Sequence, residues 1–297
     1  MAPKKTVLIT GCSDHSLGSA LALAFHKAGW RVFASARNLA KLKQAEAAGI
    51  ATVQLDVTSD ESVAKAVSTV RDLTGGSLDA LVNNAGAGYS LPLMDIDIDK
   101  ARQLFDLNTF SILRVSRAFL PLLMKSTHGG RIINHTSAAS LTAGGLPFQG
   151  VYNASKAAAT SFTEVLRLEL APFGVKVINL ITGMVKSTFF DNTPPAILPP
   201  TSMYNVAKED IERVMTGEDI AAQGTEAHRW AELVVKDLNT NSPPHWIWRG
   251  RHTSEVRLAS LLPVGILDNV MKSMVKLDVL ERKIKEKGGV DKIMPKE

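Results

Sequence analysis

The stretch best equipped for chemistry is Tyr152-Asn153-Ala154-Ser155-Lys156. It opens an apolar-periodic segment that runs to about Pro172 and reads as a helix. Four residues apart on a helix, Tyr152 and Lys156 share one face, with Cβ atoms roughly 5–6 Å apart. A buried ammonium beside a phenol favours the phenolate and lowers the tyrosine pKa. A phenol tuned in this way is a usable proton donor near neutral pH. The same residues also suit an ordinary helix start with a surface lysine. What weighs against that plainer reading lies upstream.

The first strand-to-helix turn is Thr10-Gly11-Cys12-Ser13-Asp14-His15-Ser16-Leu17-Gly18. A glycine-containing turn entering a helix N-terminus can cradle phosphate, because backbone N–H groups and the helix dipole both favour an anion. Gly11, Ser13, Ser16, Leu17 and Gly18 are the candidate contacts. The match to a dinucleotide fingerprint is imperfect, and a simple connecting turn is the alternative. The second strand ends at Ala36-Arg37. An acidic residue there would hold a ribose 2′-hydroxyl, whereas an arginine accommodates a 2′-phosphate. A solvated surface arginine is the competing reading.

Strands and helices alternate around these residues. Strands are expected at Thr6–Thr10, Arg31–Ala36, Ala51–Leu55, Leu78–Val82, Arg131–His135 and Val175–Ile181. Helices are expected at Ser19–Ala28, Leu39–Ala48, Glu61–Leu73, about Lys100–Met124 and Tyr152–Ala171. This alternation implies an α/β fold: a doubly wound parallel sheet covered on both faces, in a single domain.

The 297 residues are 45% hydrophobic and 21% charged, which is globular composition with a sizeable core. A lone cysteine, Cys12, rules out an internal disulfide and points to a reducing, intracellular compartment. No signal sequence is visible, and no uncharged apolar run is long enough to span a bilayer. The net charge of +5 gathers in the C-terminal tail, but no basic run there is interleaved with aromatics, which disfavours nucleic acid. No HExxH or clustered Cys/His set suggests a metal, and the seven histidines are scattered. His135 among them reads as a satisfied structural residue.

Several motifs together carry a resemblance. Asn83-Asn84-Ala85-Gly86 after strand four, Ser137 after strand five, and Tyr152-x-x-x-Lys156 resemble the short-chain dehydrogenase/reductase family. Leu55-Asp56-Val57 and Asn108 suit the same pattern, which covers about residues 6 to 190. More loosely, Leu198–Tyr204, His245–Gly250 and Leu261–Leu280 resemble a fungal and yeast branch typified by 1-acyldihydroxyacetone phosphate reductase. Ketone reductases of fungal natural-product pathways share that likeness. The resemblance implies a Rossmann-type oxidoreductase using NADPH/NADP+ on a lipophilic ketone or alcohol. It implies that Tyr152 protonates the carbonyl oxygen, Lys156 lowers its pKa and holds the nicotinamide ribose, and Ser137 binds the substrate oxygen. Asn108 would support a water leading to Lys156. Asp56 and Val57 would meet adenine, and Asn84, Ala85 and Gly86 the cofactor's ribose side. Val185 and Ser187 would lie at the nicotinamide end. A homo-oligomer is expected by the same analogy, and a cytoplasmic location, peripheral to endoplasmic reticulum or lipid droplets.

Three departures stand out. His15 and Ser16 occupy positions where the family usually has glycine. Ser137 lies 15 residues before Tyr152, slightly more than usual, with Ser140 as a substitute. The family's Pro-Gly after strand six is Thr182-Gly183. The altered glycine turn leaves a cofactor-binding sensor or scaffold without turnover as the alternative function, against which the Ser137, Tyr152 and Lys156 set weighs.

Beyond strand six the texture changes. The catalytic unit is expected to span residues 1–255, with a substrate lid over about 187–240 that includes helices near Val206–Met215 and Ile220–Leu238. Residues 256–297 form an apolar and basic extension. It suits either packing on the protein or peripheral contact with an anionic membrane.

Overall fold

The computed structural model describes residues 4–141, 143, 145–189, 193, 195–217 and 222–293. Short apolar strands build its centre: β1 (Thr6–Ile9), β2 (Arg31–Ala36), β3 (Ala51–Gln54), β4 (Ala80–Asn83), β5 (Arg131–His135) and β6 (Lys176–Thr182). β7 (Val185–Lys186) and β8 (Thr225–Glu226) pair apart from the rest, and β9 (Trp246–Arg249) completes the main sheet. The sheet order is β3-β2-β1-β4-β5-β6-β9, with every pairing parallel. β4 and β5 are buried at every residue, as strands covered on both faces must be.

One face is covered by α1 (Leu17–Lys27), α2 (Lys43–Ala47) and, from far along the chain, α8 (Ala227–Leu238). Leu21, Phe25, Trp230 and Val234 pack there on Val7 and Ile9. The other face carries α3 (Asp60–Thr74), α5 (Ser111–Leu123) and α6 (Gly150–Glu169). Phe119, Leu123 and Leu170 pack there against Leu8, Leu81 and Ile132. Each large apolar side chain enclosed in this way contributes about 1.5–3 kcal/mol.

Four expectations change. The helix expected over Lys100–Met124 is interrupted. α4 (Ile98–Phe105) passes into a π-helical turn, Asp106–Phe110, before α5 begins. A wider turn of this kind often marks a functional site. The second helix shrinks to a 3₁₀ turn, Leu39–Lys41, and the five residues of α2. β9 was not expected, because Trp-Ile-Trp-Arg after two prolines is too short to show a period. The helix expected over Ile220–Leu238 begins only at Ala227, since Thr225–Glu226 is spent on β8; residues 218–221 lie outside the described set.

That last change also narrows the segment expected to form a lid. α8 belongs to the sheet's cover, with Trp230 fully enclosed. The lid cluster consists of Phe148, Leu198, Ala207, Ile211 and Met215, from the loop before α6 and from α7 (Lys208–Thr216) with its approach. Val275 and Leu280 of the C-terminal region join it. There the chain forms α9 (Thr253–Ala259), α10 (Asp268–Met274) and α11 (Leu277–Glu286). The expected boundary at residue 255 falls inside α9. α11 is tied to α7 by Lys283 Nζ to Asp210 Oδ2 at 2.6 Å. From the end of α9 through α10 the chain exposes Leu258, Leu261, Val264, Ile266 and Val270. No helix of the described residues is long and apolar enough to cross a membrane.

Candidate active site

α6 presents Tyr152 and Lys156 from its first turns. Gly150 opens the helix where a Cβ would stand 2.5 Å from Leu93 Cδ2. The Tyr152 hydroxyl bonds to Ser137, and its ring meets Phe189 edge-on at 5.6 Å. Ser137 is held by its place at the head of a 3₁₀ turn, Ala138–Ser140, where its Oγ accepts from Ala139 N at 3.1 Å. The alternative, Ser140, has its Oγ buried with no hydrogen-bond partner among the described residues.

Lys156 is buried, and its Nζ donates to the His135 carbonyl at 2.9 Å. Asn108 reaches the same place from the π-helical turn. Its Nδ2 donates to the Ala87 carbonyl at 2.9 Å and to Ser155 Oγ at 3.1 Å, while its Oδ1 accepts from Ala87 N at 3.0 Å. Its side-chain amide thus clamps the loop after β4 onto α6. Gly86 sits between the two groups: a Cβ there would lie 3.0 Å from Asn108 Oδ1 and 3.4 Å from Lys156 Nζ.

The electrostatics differ from the sequence expectation. Burial pushes the Tyr152 phenol above its ordinary pKa, and the Ser137 hydrogen bond offsets only part of this. The net direction is upward, whereas the sequence led to the expectation of a lowering beside Lys156. Burial brings Lys156 itself down to about 8. The result at neutral pH is a protonated phenol beside a buried ammonium. Such a pair can give up a proton and then stabilise the oxyanion left behind.

The second half of the site lies where β1 and β4 diverge, the crevice in which doubly wound sheets bind ligands. Thr10 Oγ1 accepts from Asn84 N and Ala85 N, both at 2.9 Å. Asn84 Nδ2 donates to the Thr10 and Gly11 carbonyls at 2.7 and 3.1 Å. Gly11 has φ +71°, and a Cβ there would stand 2.9 Å from Ala85 Cα. A Cβ on Gly18 would stand 2.4 Å from the Gly11 carbonyl oxygen. Both glycines are thus required by close approach. Ser16 caps α1 by accepting from Ser19 N at 3.1 Å, with Leu17 as the first helical residue. The Ser13 carbonyl accepts from Ser16 N at 3.0 Å and closes the turn.

His15 explains how the turn does without another glycine. It adopts φ +63°, a left-handed conformation costing a non-glycine residue about 1–3 kcal/mol. Gln44 Oε1 accepts from His15 N at 2.9 Å, and the Asp14 carboxylate accepts from Lys43 N and Gln44 N. α2 therefore props the loop. With the α1 N-terminus uncluttered by acidic side chains in its first turn, the cradle suits a pyrophosphate.

At the end expected to meet adenine, Arg37 is exposed just beyond β2. Burial would raise the Asp56 carboxyl, but hydrogen bonds from Thr58 and the Arg37 and Arg114 charges outweigh it and hold it below the usual range. Val57 is buried beside it. At the other end, Val185 lies in β7, and Ser187 lines a groove with His15, Ser16 and Thr188, so it is brought to the phosphate turn. Thr10, Gln44 and His135 are the contributors that sequence reasoning did not single out for the site, whereas Phe189 falls within the expected lid. Of these, only Thr10 carried a signal, as the strand residue entering the turn.

The pattern that defines short chain dehydrogenases matches residues 5–196. A short-chain dehydrogenase/reductase of Pestalotiopsis microspora is 45% identical over 288 residues, covering 96% of this chain and 99% of the relative. The NADPH-dependent 1-acyldihydroxyacetone phosphate reductase of Schizosaccharomyces pombe is 36% identical over 93% of this chain and 96% of its own. Among solved structures, a short-chain dehydrogenase from Streptomyces avermitilis superposes with TM-score 0.75 at 26% identity, covering 95% of this chain and 98% of its own. One from Burkholderia cenocepacia, in complex with NADP, has TM-score 0.67 at 27% identity, covering 92% and 97%. With its seven-stranded parallel sheet and this agreement along nearly its whole length, the chain belongs to the short-chain dehydrogenase/reductase family of oxidoreductases.

Proposed function

We propose that the chain reduces the carbonyl of a lipophilic substrate to an alcohol with NADPH, using Tyr152 as the acid. The observation that carries this reading is the Tyr152 side chain: its hydroxyl protonated and bonded to Ser137, its ring edge-on to Phe189, and the buried Lys156 one helical turn on. When bound, the cofactor supplies the hydride. Ser137 orients the carbonyl oxygen, Tyr152 gives it a proton, and the Lys156 ammonium stabilises the tyrosinate that remains. Phe189 and the apolar cluster of Tyr89, Leu104 and Val151, on which Tyr152 packs, exclude water from that exchange. The apolar lid favours a ketone carrying a long hydrocarbon portion. An acylated dihydroxyacetone phosphate, the substrate in the name of the S. pombe relative, is one such class, and an apolar natural-product ketone is the other. Loss of NADPH absorbance against a panel of both classes tests this; wild-type protein that consumes NADPH with neither contradicts it.

Arg37 supports the choice of NADPH over NADH. A charge-assisted contact with the 2′-phosphate is worth roughly 1.5–3 kcal/mol, or about one to two decades in affinity. Arg37→Ala is expected to lower kcat/KM for NADPH by that factor and to leave NADH almost unchanged. An unchanged NADPH/NADH ratio removes Arg37 from the site.

Two partners complete the reading. Exposed Phe110, Val165, Leu168 and Phe173 on the α5–α6 side support a homo-oligomer formed through that face. The apolar segment from Leu258 to Val270, flanked by Arg257, Lys272 and Lys276, supports peripheral contact with an anionic bilayer. Full-length protein is expected to float with vesicles containing anionic lipid at low salt and to lose that association when Leu261 and Val264 become Asp. Flotation unaffected by the pair of substitutions, or absent from wild type, contradicts it.

A further inference from the structure

His135 ends β5 between the two turns that a dinucleotide must span, and its ring is fully occupied. Nδ1 lies 2.8 Å from Asn84 Oδ1, and Nε2 lies 2.8 Å from Thr182 Oγ1. The Asn84 amide nitrogen already donates to the Thr10 and Gly11 carbonyls, so its oxygen faces the ring and must accept. Nδ1 therefore carries the proton, and bare Nε2 accepts from the Thr182 hydroxyl. Trp230 stacks on the ring at 5.4 Å and 26°, and the His135 carbonyl holds Lys156. Burial, with the Lys156 charge adding to it, brings the imidazole down to about 3, so it remains neutral at working pH.

One continuous chain of hydrogen bonds thus runs from the Gly11 carbonyl through Asn84 and His135 to Thr182. At one end is the phosphate-binding turn. At the other is Thr182-Gly183, where the polypeptide is so close-packed that a Cβ on Gly183 would stand 2.2 Å from the Arg251 carbonyl oxygen. A proline at position 182 would offer Nε2 no hydroxyl, so the threonine and the histidine function as a pair.

We propose that His135 is a positioning residue that fixes the spacing between the phosphate turn after β1 and the nicotinamide-end turn after β6, and so presets the crevice for NADPH. The proposal rests on the NADPH reading above. It accounts for a buried, doubly bonded imidazole at the one place where β4, β5 and β6 all end beside the cofactor crevice.

The test is NADPH affinity by fluorescence titration, with steady-state kinetics, in His135→Leu, His135→Gln, Thr182→Val and the double variant His135→Leu/Thr182→Val. Losing one partner of a buried hydrogen bond is expected to weaken NADPH binding about tenfold in His135→Leu. KM for NADPH should rise with it, while kcat at saturating cofactor stays within about threefold. His135→Gln is expected to restore affinity, because an amide can donate to Asn84 and accept from Thr182. Thr182→Val breaks the same chain with little change of shape, and its effect should not multiply with that of His135→Leu. Should His135→Leu fail to fold, Thr182→Val carries the test alone through a severalfold loss of NADPH affinity at unchanged kcat. Affinity in Thr182→Val equal to wild type, or independent multiplying effects, overturns the proposal while leaving NADPH dependence intact. Wild-type protein that does not bind NADPH overturns both.

Discussion

Tyr152→Phe is expected to lower ketone reduction by about 10²–10⁴-fold, the usual worth of a positioned general acid, while NADPH affinity stays within about twofold. The ring still packs against Phe189, so the lid side of the cleft keeps its shape. Only the hydroxyl goes, and with it the hydrogen bond to Ser137. Ser137 cannot take over, because a serine hydroxyl is too weak an acid and lacks the buried cation on its own element. Rate constants at saturating NADPH measure the first quantity, and cofactor titration the second. Reduction at near wild-type speed would mean that the proton comes from elsewhere.

Lys156→Met should remove as much of the rate and also weaken cofactor binding. Methionine fills the buried volume but leaves no cation beside the tyrosinate, and the His135 carbonyl loses its donor. The pH dependence follows from the same residue. Burial places the Lys156 ammonium at about 8 against an ordinary 10.5, so the charge is present below that pH and is lost as pH rises through it. The reduction rate should therefore fall on the alkaline side with an apparent midpoint near 8. His135 adds no step between pH 5 and 8, because its ring stays neutral throughout. In Lys156→Met the alkaline fall should vanish from whatever rate remains. A wild-type rate flat to pH 9.5 would show that the ammonium is not needed.

Much of this was legible in the chain because the decisive residues are local. Tyr152 and Lys156 share a helix face by spacing alone, and Gly11 and Gly18 announce a close approach that a Cβ would prevent. The six strands up to Ile181 show as β-branched runs between turns. What was not legible depends on contacts between distant segments. The π-helical turn at Asp106–Phe110 lies where Asn108 pairs with Ala87, and nothing in the local sequence reports that pairing. β9 is four residues fixed by β6, and α8 covers the sheet because it meets α1 from some 200 residues away. The Tyr152 pKa was read from its neighbour's charge, whereas enclosure governs it. His15 looked like a defect in the glycine turn until Asp14 and Gln44 were seen to hold it.

The central claim is hydride transfer from NADPH to a lipophilic carbonyl with proton donation by Tyr152. It is tested most directly by incubating the protein with NADPH deuterated at the transferring C4 position and an acylated dihydroxyacetone phosphate or long-chain ketone, and analysing the product by mass spectrometry. The account predicts an alcohol with one deuterium on the carbinol carbon, formed by wild type and reduced at least a hundredfold in Tyr152→Phe. Bound NADPH with no deuterated alcohol from either substrate class, or equal labelling by Tyr152→Phe, would contradict it.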